Sequence, residues 1–328
     1  MTTILPADLI VRAPREDELE AICELLNACD VAECGQFDSP LDQLRSQWAY
    51  KDFHRETDAW VAVAPGERIV GYAALAPYRY INTDSYVRIH PDYWGQGIGT
   101  HLRALIDRRA QEFVPLAPPE VRVILSTWCH SGNQAAKQLI EAAGYTCNRR
   151  TWAMEIDLPE EPAQPEWPAG ISLRPFEPER DARAVFEATD EAFQDHWGHL
   201  PGIFANWYQN HIVNNASFDP SLWFMAMAGD EVAGVSLCGY YLDGGIVNTL
   251  GVRRPWRHLG LGMALLRYSF GEFYRRGIHT VGLGVDSQSL TGATRLYERA
   301  GMHILMSYDH YEKELRAGVD LSTQTLEV

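Results

Sequence analysis

The feature that most constrains the fold is a strand, a glycine-rich turn and a helix that occur twice in the same order. In the second half of the chain, the apolar run 246–252 predicts a buried strand, and residues 263–268 begin an amphipathic helix. The turn at 257–262 joins the two. Residues 94–99 occupy the equivalent place 163 positions earlier, before a helix predicted over 100–113. Such a long repeat indicates two copies of one domain, because the repeats of solenoids are far shorter.

A second pair of related segments supports the duplication. Residues 139–145 resemble residues 296–302, which lie 157 positions further along the chain. Segment 159–170 is rich in proline and glutamate, a composition that predicts a stiff polar linker. We therefore predict a first domain at 1–158, a linker at 159–170 and a second domain at 171–328.

The turn of the second copy has the chemistry of an anion site. The start of a helix leaves backbone N–H groups unpaired and carries the positive end of the helix dipole, and glycine lets an anion approach closely. Arg253, Arg254, Arg257 and His258 add positive charge. No Gly-Lys-Ser/Thr follows, so the turn is not a nucleotide P-loop, and no third glycine completes the dinucleotide fingerprint. We predict a phosphate-binding loop, with a glycine-capped turn as the alternative.

The motif Arg-x-x-Gly-x-Gly at 257–262 resembles the acyl-CoA pyrophosphate loop of the GNAT superfamily of N-acyltransferases. Downstream, a predicted strand at 280–286 and a helix with Leu296-Tyr297 before Gly301 resemble the second signature of that superfamily. The resemblance covers nearly the whole chain as two copies, an architecture similar to that of the mycothiol synthases. It implies an α/β (α+β) fold of two tandem GNAT-like domains, each with a mixed, mostly antiparallel central sheet flanked by helices.

The resemblance also implies an activity. Acetyl-CoA (coenzyme A) would be the cofactor, and an acetyl group would pass to a primary amine of a small molecule by direct attack. Tyr297 matches the tyrosine that acts as general acid and protonates the leaving sulfur, and backbone N–H groups near 250–252 would stabilise the oxyanion. Ser289 stands where the family often has Asn. The cofactor-binding residues implied are Leu250, Gly251, Val252, Arg257, His258, Leu259, Gly260, Leu261, Gly262, Met263, Ser289, Thr291 and Ala293.

The general base is the least defined part of this site. The strand before the loop has no glutamate of the kind that some relatives carry. Asp195 and His196 fall in the region that shapes the acceptor pocket in the superfamily, and a His beside an Asp can relay a proton through water. The alternative is an ordinary loop packed around Trp197. We predict no metal site, because His196 and His199 lack further convergent ligands.

The first copy departs from the family where the chemistry lies. Trp94 replaces the loop arginine, and Ile140, which cannot donate a proton, replaces the tyrosine. We therefore predict a degenerate first domain and place catalysis in the second. Two possibilities stay open for the first domain: weak or structural cofactor binding through its glycine turn, or a purely structural role beside the substrate pocket.

Composition limits the partners. The net charge of −16 disfavours nucleic acids and anionic membranes and suits a cationic amine substrate. The sequence shows no secretory signal and no apolar run of transmembrane length. None of the six cysteines forms a Cys-x-x-Cys pair, so we predict reduced thiols in a cytoplasmic protein, as a monomer or homodimer.

Two other functional classes remain compatible with the sequence. A catalytically silent acyl-CoA-binding or sensing protein would bind the cofactor without turnover. A structural or interaction protein built on a retired enzyme fold would not bind it. The enzyme is the favoured hypothesis because the second copy keeps both the loop and Tyr297.

Overall fold

The computed structural model describes residues 5–6, 8–215 and 217–324. The chain divides into two compact units. The N-terminal unit contains the described residues up to Arg150 together with Ser307–Leu321. The C-terminal unit contains Thr151–Met306 and the described residues from Ser322 onward.

The N-terminal unit is built on a mixed sheet with the strand order β1-β2-β3-β4-β5-β12. Neighbouring strands are antiparallel except for β4 and β5, which are parallel. Its strands are β1 (Ile10–Arg12), β2 (Ala59–Ala64), β3 (Arg68–Tyr78), β4 (Asn82–Ile89), β5 (Val123–His130) and the later part of β12 (His303–Arg316). Its helices are α1 (Leu19–Cys34), α2 (Leu41–Trp48), α3 (Arg55–Asp58), α4 (Ile98–Phe113) and α5 (Gln134–Ala142).

The C-terminal unit repeats this plan with the strand order β6-β11-β10-β9-β8-β7. Here β10 and β11 form the parallel pair, and the other pairs are antiparallel. Its strands are the later part of β6 (Thr146–Asp157), β7 (Ile171–Pro175), β8 (Trp223–Ala228), β9 (Glu231–Tyr241), β10 (Gly244–Val252) and β11 (Thr280–Asp286). Its helices are α6 (Pro178–Phe193), α7 (Phe204–Tyr208), which continues into a π-helical turn (Gln209–Val213), α8 (Leu261–Arg275) and α9 (Ala293–Arg299).

Each unit includes a strand segment from the other half of the sequence. Residues 307–316 of β12 belong to the N-terminal unit, and residues 151–157 of β6 belong to the C-terminal unit. The predicted linker at 159–170 lies within the C-terminal unit. The division of the sequence into copies at 1–158 and 171–328 stays a prediction.

Both faces of each sheet are covered, which explains why the central strands are apolar almost without interruption. In the N-terminal unit, Ile22 of α1 belongs to one core and Leu102 of α4 to another. In the C-terminal unit, Val185 of α6 and Leu265 of α8 belong to the two corresponding cores. Within the described ranges, no helix is both long and apolar enough to cross a membrane.

The local predictions hold where the periodicity is strong. The strand predicted at 246–252 is the greater part of β10, and the strand at 280–286 is β11. The helix predicted from 100 begins two residues earlier, at Ile98. A first strand was expected over 4–12, and the structure has it at Ile10–Arg12, while residues 1–4 and 7 lie outside the described residues.

Candidate active site

The site begins where two parallel strands separate. β10 and β11 pair only at Gly245–Val281 and Ile246–Gly282. β10 then runs on to Val252 and β11 to Asp286, with no further pairing between them in the described chain. Backbone N–H and C=O groups on these facing edges are therefore available to an extended ligand.

A glycine turn and the start of α8 follow β10 directly. Gly260 is the N-cap of α8 with φ +89°, and His258 is also left-handed, with φ +62°. Among the described residues, the six consecutive N–H groups of 258–263 have no hydrogen-bond partner. Because these donors lie at the positive end of a helix dipole, the turn is suited to hold an anion.

Arg257 anchors this turn. Its Nε donates to the Val252 carbonyl at 3.1 Å, and its Nη2 donates to the Ala192 carbonyl at 3.0 Å. Its Nη1 donates to an oxygen of Asp195 at 2.5 Å. Three of the five guanidinium donors are thus used within the protein. In this arrangement, Arg257 fixes the turn to the end of β10 and to α6 rather than reaching over the unpaired N–H groups.

Asp195 is the buried centre of an ionic cluster just beyond α6, in which the Arg254 side chain is half exposed. Its carboxylate accepts from Arg254 at 2.7 and 3.2 Å and from Arg257 at 2.5 Å, and the residue is 6% exposed. The hydrogen bond from Arg254, reinforced by Arg257, lowers the pKa of Asp195 to about 2 against the opposing effect of burial. Such a carboxylate is a weak proton acceptor at neutral pH, so its contacts favour a positioning role. We call Asp195, Arg254 and Arg257 the loop clamp.

His196 lies beside the loop clamp but is not hydrogen bonded to Asp195, whose oxygens face the arginines. Its ring packs on Phe193 with the ring centroids 4.2 Å apart. Burial, and then the charge of Arg257, lowers the pKa of His196. The imidazole is therefore neutral at physiological pH and able to accept a proton. The catalytic roles expected of both residues stay predictions.

Tyr297 lies on α9 and is 8% exposed. Burial raises the pKa of Tyr297 to about 12, so the phenol keeps its proton at neutral pH. No hydrogen-bond partner of its hydroxyl is found among the described residues. A protonated hydroxyl without an internal partner is able to donate to a ligand.

Ser289 and Thr291 shape the start of α9. The Ser289 hydroxyl accepts from the Ala293 N–H at 3.3 Å and lies 3.1 Å from the Thr291 hydroxyl. In the N-terminal unit, Asn133 is the N-cap of α5 and its side chain accepts from the Ala136 N–H at 2.9 Å. The N-cap of α9 is Gly292, which has no side-chain cap, so Ser289 bonds the first turn of α9 from outside the cap position.

The remaining predicted positions lie on consecutive elements. Leu250, Gly251 and Val252 end β10, and Leu259 is 59% exposed in the turn. Leu261, Gly262 and Met263 form the first turn of α8. Within the described residues, no group of three or more His, Cys, Asp or Glu side chains could hold a metal ion.

The N-terminal unit shows what the sequence analysis missed. Trp94 donates from its indole N–H to the Ile89 carbonyl at 2.8 Å, five residues back, as Arg257 does to Val252. Trp94 thus replaces one structural contact of the loop arginine.

The N-terminal unit lacks all three residues of the loop clamp. The positions 163 residues before Asp195, Arg254 and Arg257 hold Ala32, Pro91 and Trp94. A comparison of equivalent positions in the two copies shows that all three charged residues are replaced by uncharged ones, so the sequence alone could have identified them as a group.

The loop clamp makes a stability prediction with a defined pH dependence. Asp195→Asn removes the charge, and we expect the free energy of unfolding to fall by about 2 kcal/mol near neutral pH. The ordinary pKa of 3.8 drops to about 2 on folding, so this contribution is present above about pH 4 and is lost as the pH falls toward 2. Urea unfolding from pH 7 to pH 3 measures it. The exposed Asp230→Asn is the control, and a wild-type advantage that stays constant with pH contradicts the prediction.

Comparison with known proteins identifies the family of the chain. The model of the acetyltransferase (GNAT) family matches residues 19–145 and 182–302. A mycothiol acetyltransferase of Streptomyces scabiei is 30% identical over 251 residues, which cover 75% of this chain and 77% of that protein.

Two solved structures are similar to the fold of this chain. A GCN5-related N-acetyltransferase from Sphaerobacter thermophilus is 37% identical, with a TM-score of 0.84 over 98% of this chain and 100% of its own. A tandem GNAT protein from the clavulanic acid biosynthesis pathway is 18% identical, with a TM-score of 0.72 over 95% of this chain and 100% of its own. The family resemblance, fold class and enzyme class predicted from the sequence are confirmed. The chain belongs to the acetyltransferase (GNAT) family, as a tandem acetyltransferase.

Proposed function

We propose that the chain transfers an acetyl group from acetyl-CoA to a primary amine of a small molecule, at a site in the C-terminal copy. The observation that carries the proposal is a row of six N–H groups at 258–263 that no described residue pairs, immediately after the open edge of β10. Tyr297 follows on the next strand-and-helix pair. One continuous segment thus provides anion binding, a slot for an extended chain and a proton donor.

The residues present fit acetyl-CoA. The N–H groups at the start of α8 suit its phosphates, and the edges of β10 and β11 suit its amide-bearing arm. A Cβ atom at Gly260 or Gly284 would meet no atom within 4 Å, so both glycines border open space. When bound, acetyl-CoA supplies an acetyl group activated as a thioester.

The protein side of the reaction divides among four groups. Tyr297 holds the proton that the leaving sulfur requires, and backbone N–H groups of 250–252 stabilise negative charge on the carbonyl oxygen. His196, neutral because it is buried, accepts the proton of the attacking amine. Asp195 keeps the loop in place through Arg254 and Arg257.

The acceptor is a small amine. Relatives named mycothiol acetyltransferase make a mycothiol-type amine the first candidate to assay. Aminoglycosides, polyamines and amino sugars form the comparison set, because an acidic protein attracts all of these cations.

The N-terminal copy is proposed to be degenerate. Ile140 occupies the tyrosine position and is 3% exposed, so no phenol is available there. We expect one acetyl-CoA bound per chain, in a cytoplasmic monomer or homodimer.

Tyr297→Phe tests the proton donor. We expect turnover to fall by about 100-fold or more, since general acid catalysis contributes at least that much, while affinity for acetyl-CoA stays nearly unchanged. Steady-state kinetics and calorimetric titration measure the two effects. The matched control is Tyr268→Phe, on α8, whose ring packs against Trp167 and Phe224. Equal turnover in both variants would remove Tyr297 from the mechanism.

Gly260→Leu tests whether the glycine turn at 257–262 binds the phosphates of acetyl-CoA. Gly260 and Gly277 both have left-handed φ, at +89° and +77°, and flank the two ends of α8. Leucine at either position costs about 1–2 kcal/mol of stability, but only Gly260→Leu places a side chain over the unpaired N–H groups. We expect calorimetry to show loss of the acetyl-CoA site in Gly260→Leu and one site per chain in Gly277→Leu. Binding retained by Gly260→Leu contradicts the loop assignment, and binding without turnover in the wild type indicates a sensor.

A further inference from the structure

The two units differ sharply at one pair of facing positions. Arg88 and Gly251 are equivalent, because each directly precedes the residue whose carbonyl accepts from the side chain of the glycine turn. That acceptor is Ile89 in the N-terminal unit and Val252 in the C-terminal unit.

The ends of β5 and β11 can also be matched by a hydrogen bond that both strands make. His130 accepts from the Gly132 N–H at 3.3 Å, and Asp286 accepts from the Gln288 N–H at 2.9 Å. Each acceptor ends its strand, and the residue two positions earlier is Trp128 in the N-terminal unit and Gly284 in the C-terminal unit.

Arg88 and Trp128 meet across the separating strands. Pairing of β4 with β5 ends at Ser85–Thr127, and beyond it the Arg88 guanidinium lies over the Trp128 ring, 4.6 Å from its centroid. The equivalent positions of the C-terminal unit are both glycines. Two large side chains thus stand in one unit where the other has only glycines. Of these glycines Gly284 borders open space, whereas a Cβ atom at Gly251 would lie 3.2 Å from the Ala192 side chain.

Arg88 makes no contact ion pair with any described residue. It is 7% exposed, yet among the described residues it makes no hydrogen bond and no ion pair. Contact with the face of a tryptophan offsets only part of the desolvation of a guanidinium, and no described protein group accepts from its N–H donors. Some polar atoms of the described chain, such as Arg103 Nε, are closed off from solvent and have no hydrogen-bond partner. No atom of Arg88 is among them, so its guanidinium is open to water.

The groups that face Arg88 include one carboxyl, Asp30, which feels its charge without forming an ion pair with it. Its charge acts on Asp30, Cys29, Cys129 and Tyr86. Burial raises the pKa of Asp30, whose carboxyl accepts from the Ser39 hydroxyl at 2.7 Å rather than pairing with Arg88. Burial also raises the pKa of both thiols and of the phenol, so these three groups are uncharged at physiological pH.

We propose that Arg88 and Trp128 form a binding site for a small molecule that carries an oxyanion, a carboxylate or a phosphate. The planar guanidinium fork matches either group in a bidentate contact, and the indole face holds the fork in place. The N-terminal copy then contains a separate anion site, formed by two side chains at positions where the other copy has glycines. This proposal does not depend on the proposed acetyl transfer.

The test uses the full-length chain with isotope-labelled arginine side chains. The Nε–H signal of Arg88 is assigned by its loss in Arg88→Lys, and the chain is then titrated with sodium acetate and, separately, with phosphate, each at constant ionic strength set by chloride. We expect that signal to shift with saturation at a Kd on the millimolar scale. A response to acetate alone identifies a carboxylate ligand, and a response to phosphate alone identifies a phosphate ligand.

The N–H groups of 258–263 are also expected to hold phosphate. Because the titration follows the signal of Arg88 itself, it distinguishes binding at Arg88 from binding at that turn. Trp128→Leu keeps Arg88 but removes its aromatic support, and we expect at least a fivefold weaker response. Arg45→Gln, a half-exposed arginine on α2, is the control and should leave the titration unchanged. An Arg88 signal that does not saturate with either anion overturns the proposal, as does a response that Trp128→Leu leaves unchanged.

Discussion

The ionic contact between Asp195 and the arginines of the glycine turn is the interaction on which the rest of the site depends. The turn holds a non-glycine residue, His258, in a left-handed conformation and leaves six N–H groups without a partner in the part of the chain that the structure describes. Both features are costly unless the surrounding structure fixes them. Arg257 provides that constraint, because it joins the turn to the end of β10 and to α6. A buried ion pair often adds little net stability, so the value of the loop clamp lies in geometry.

Local sequence patterns were sufficient to predict the elements that carry this site. An apolar run, glycines and a following helical period define β10, the turn and α8, since each depends on neighbouring residues only. The direction of the Arg257 side chain could not be predicted, because its partner Asp195 lies 62 residues away in the sequence. The same limit applies to β12, whose residues 307–316 join the N-terminal sheet by pairing with β5. Motif matching identified Arg257 as a cofactor-binding residue, which stays a prediction, but it could not give the three contacts that Arg257 makes within the protein.

The two units show how one backbone keeps its fold while its chemistry changes. Trp94 preserves the hydrogen bond from the turn to the preceding strand, and this is the contact that the shared turn conformation needs. Asp195 and its arginines have no counterparts in the N-terminal unit, so a single retained hydrogen bond is compatible with the fold. The gap between the parallel strands is free to diverge, because no backbone pairing crosses it. Gly284 keeps it open in one unit, and Trp128 fills it in the other.

Burial has opposite effects on the two groups proposed to move protons, and the reaction requires both. In a poorly solvated site the neutral form of each group is favoured, so the pKa of Tyr297 rises and that of His196 falls. The phenol therefore stays protonated and the imidazole unprotonated over the same neutral range of pH. An acid and a base coexist without a charge on either, and the carboxylate nearby is already satisfied by arginines. The same environment disfavours an ammonium ion, so it also promotes the neutral amine that must attack.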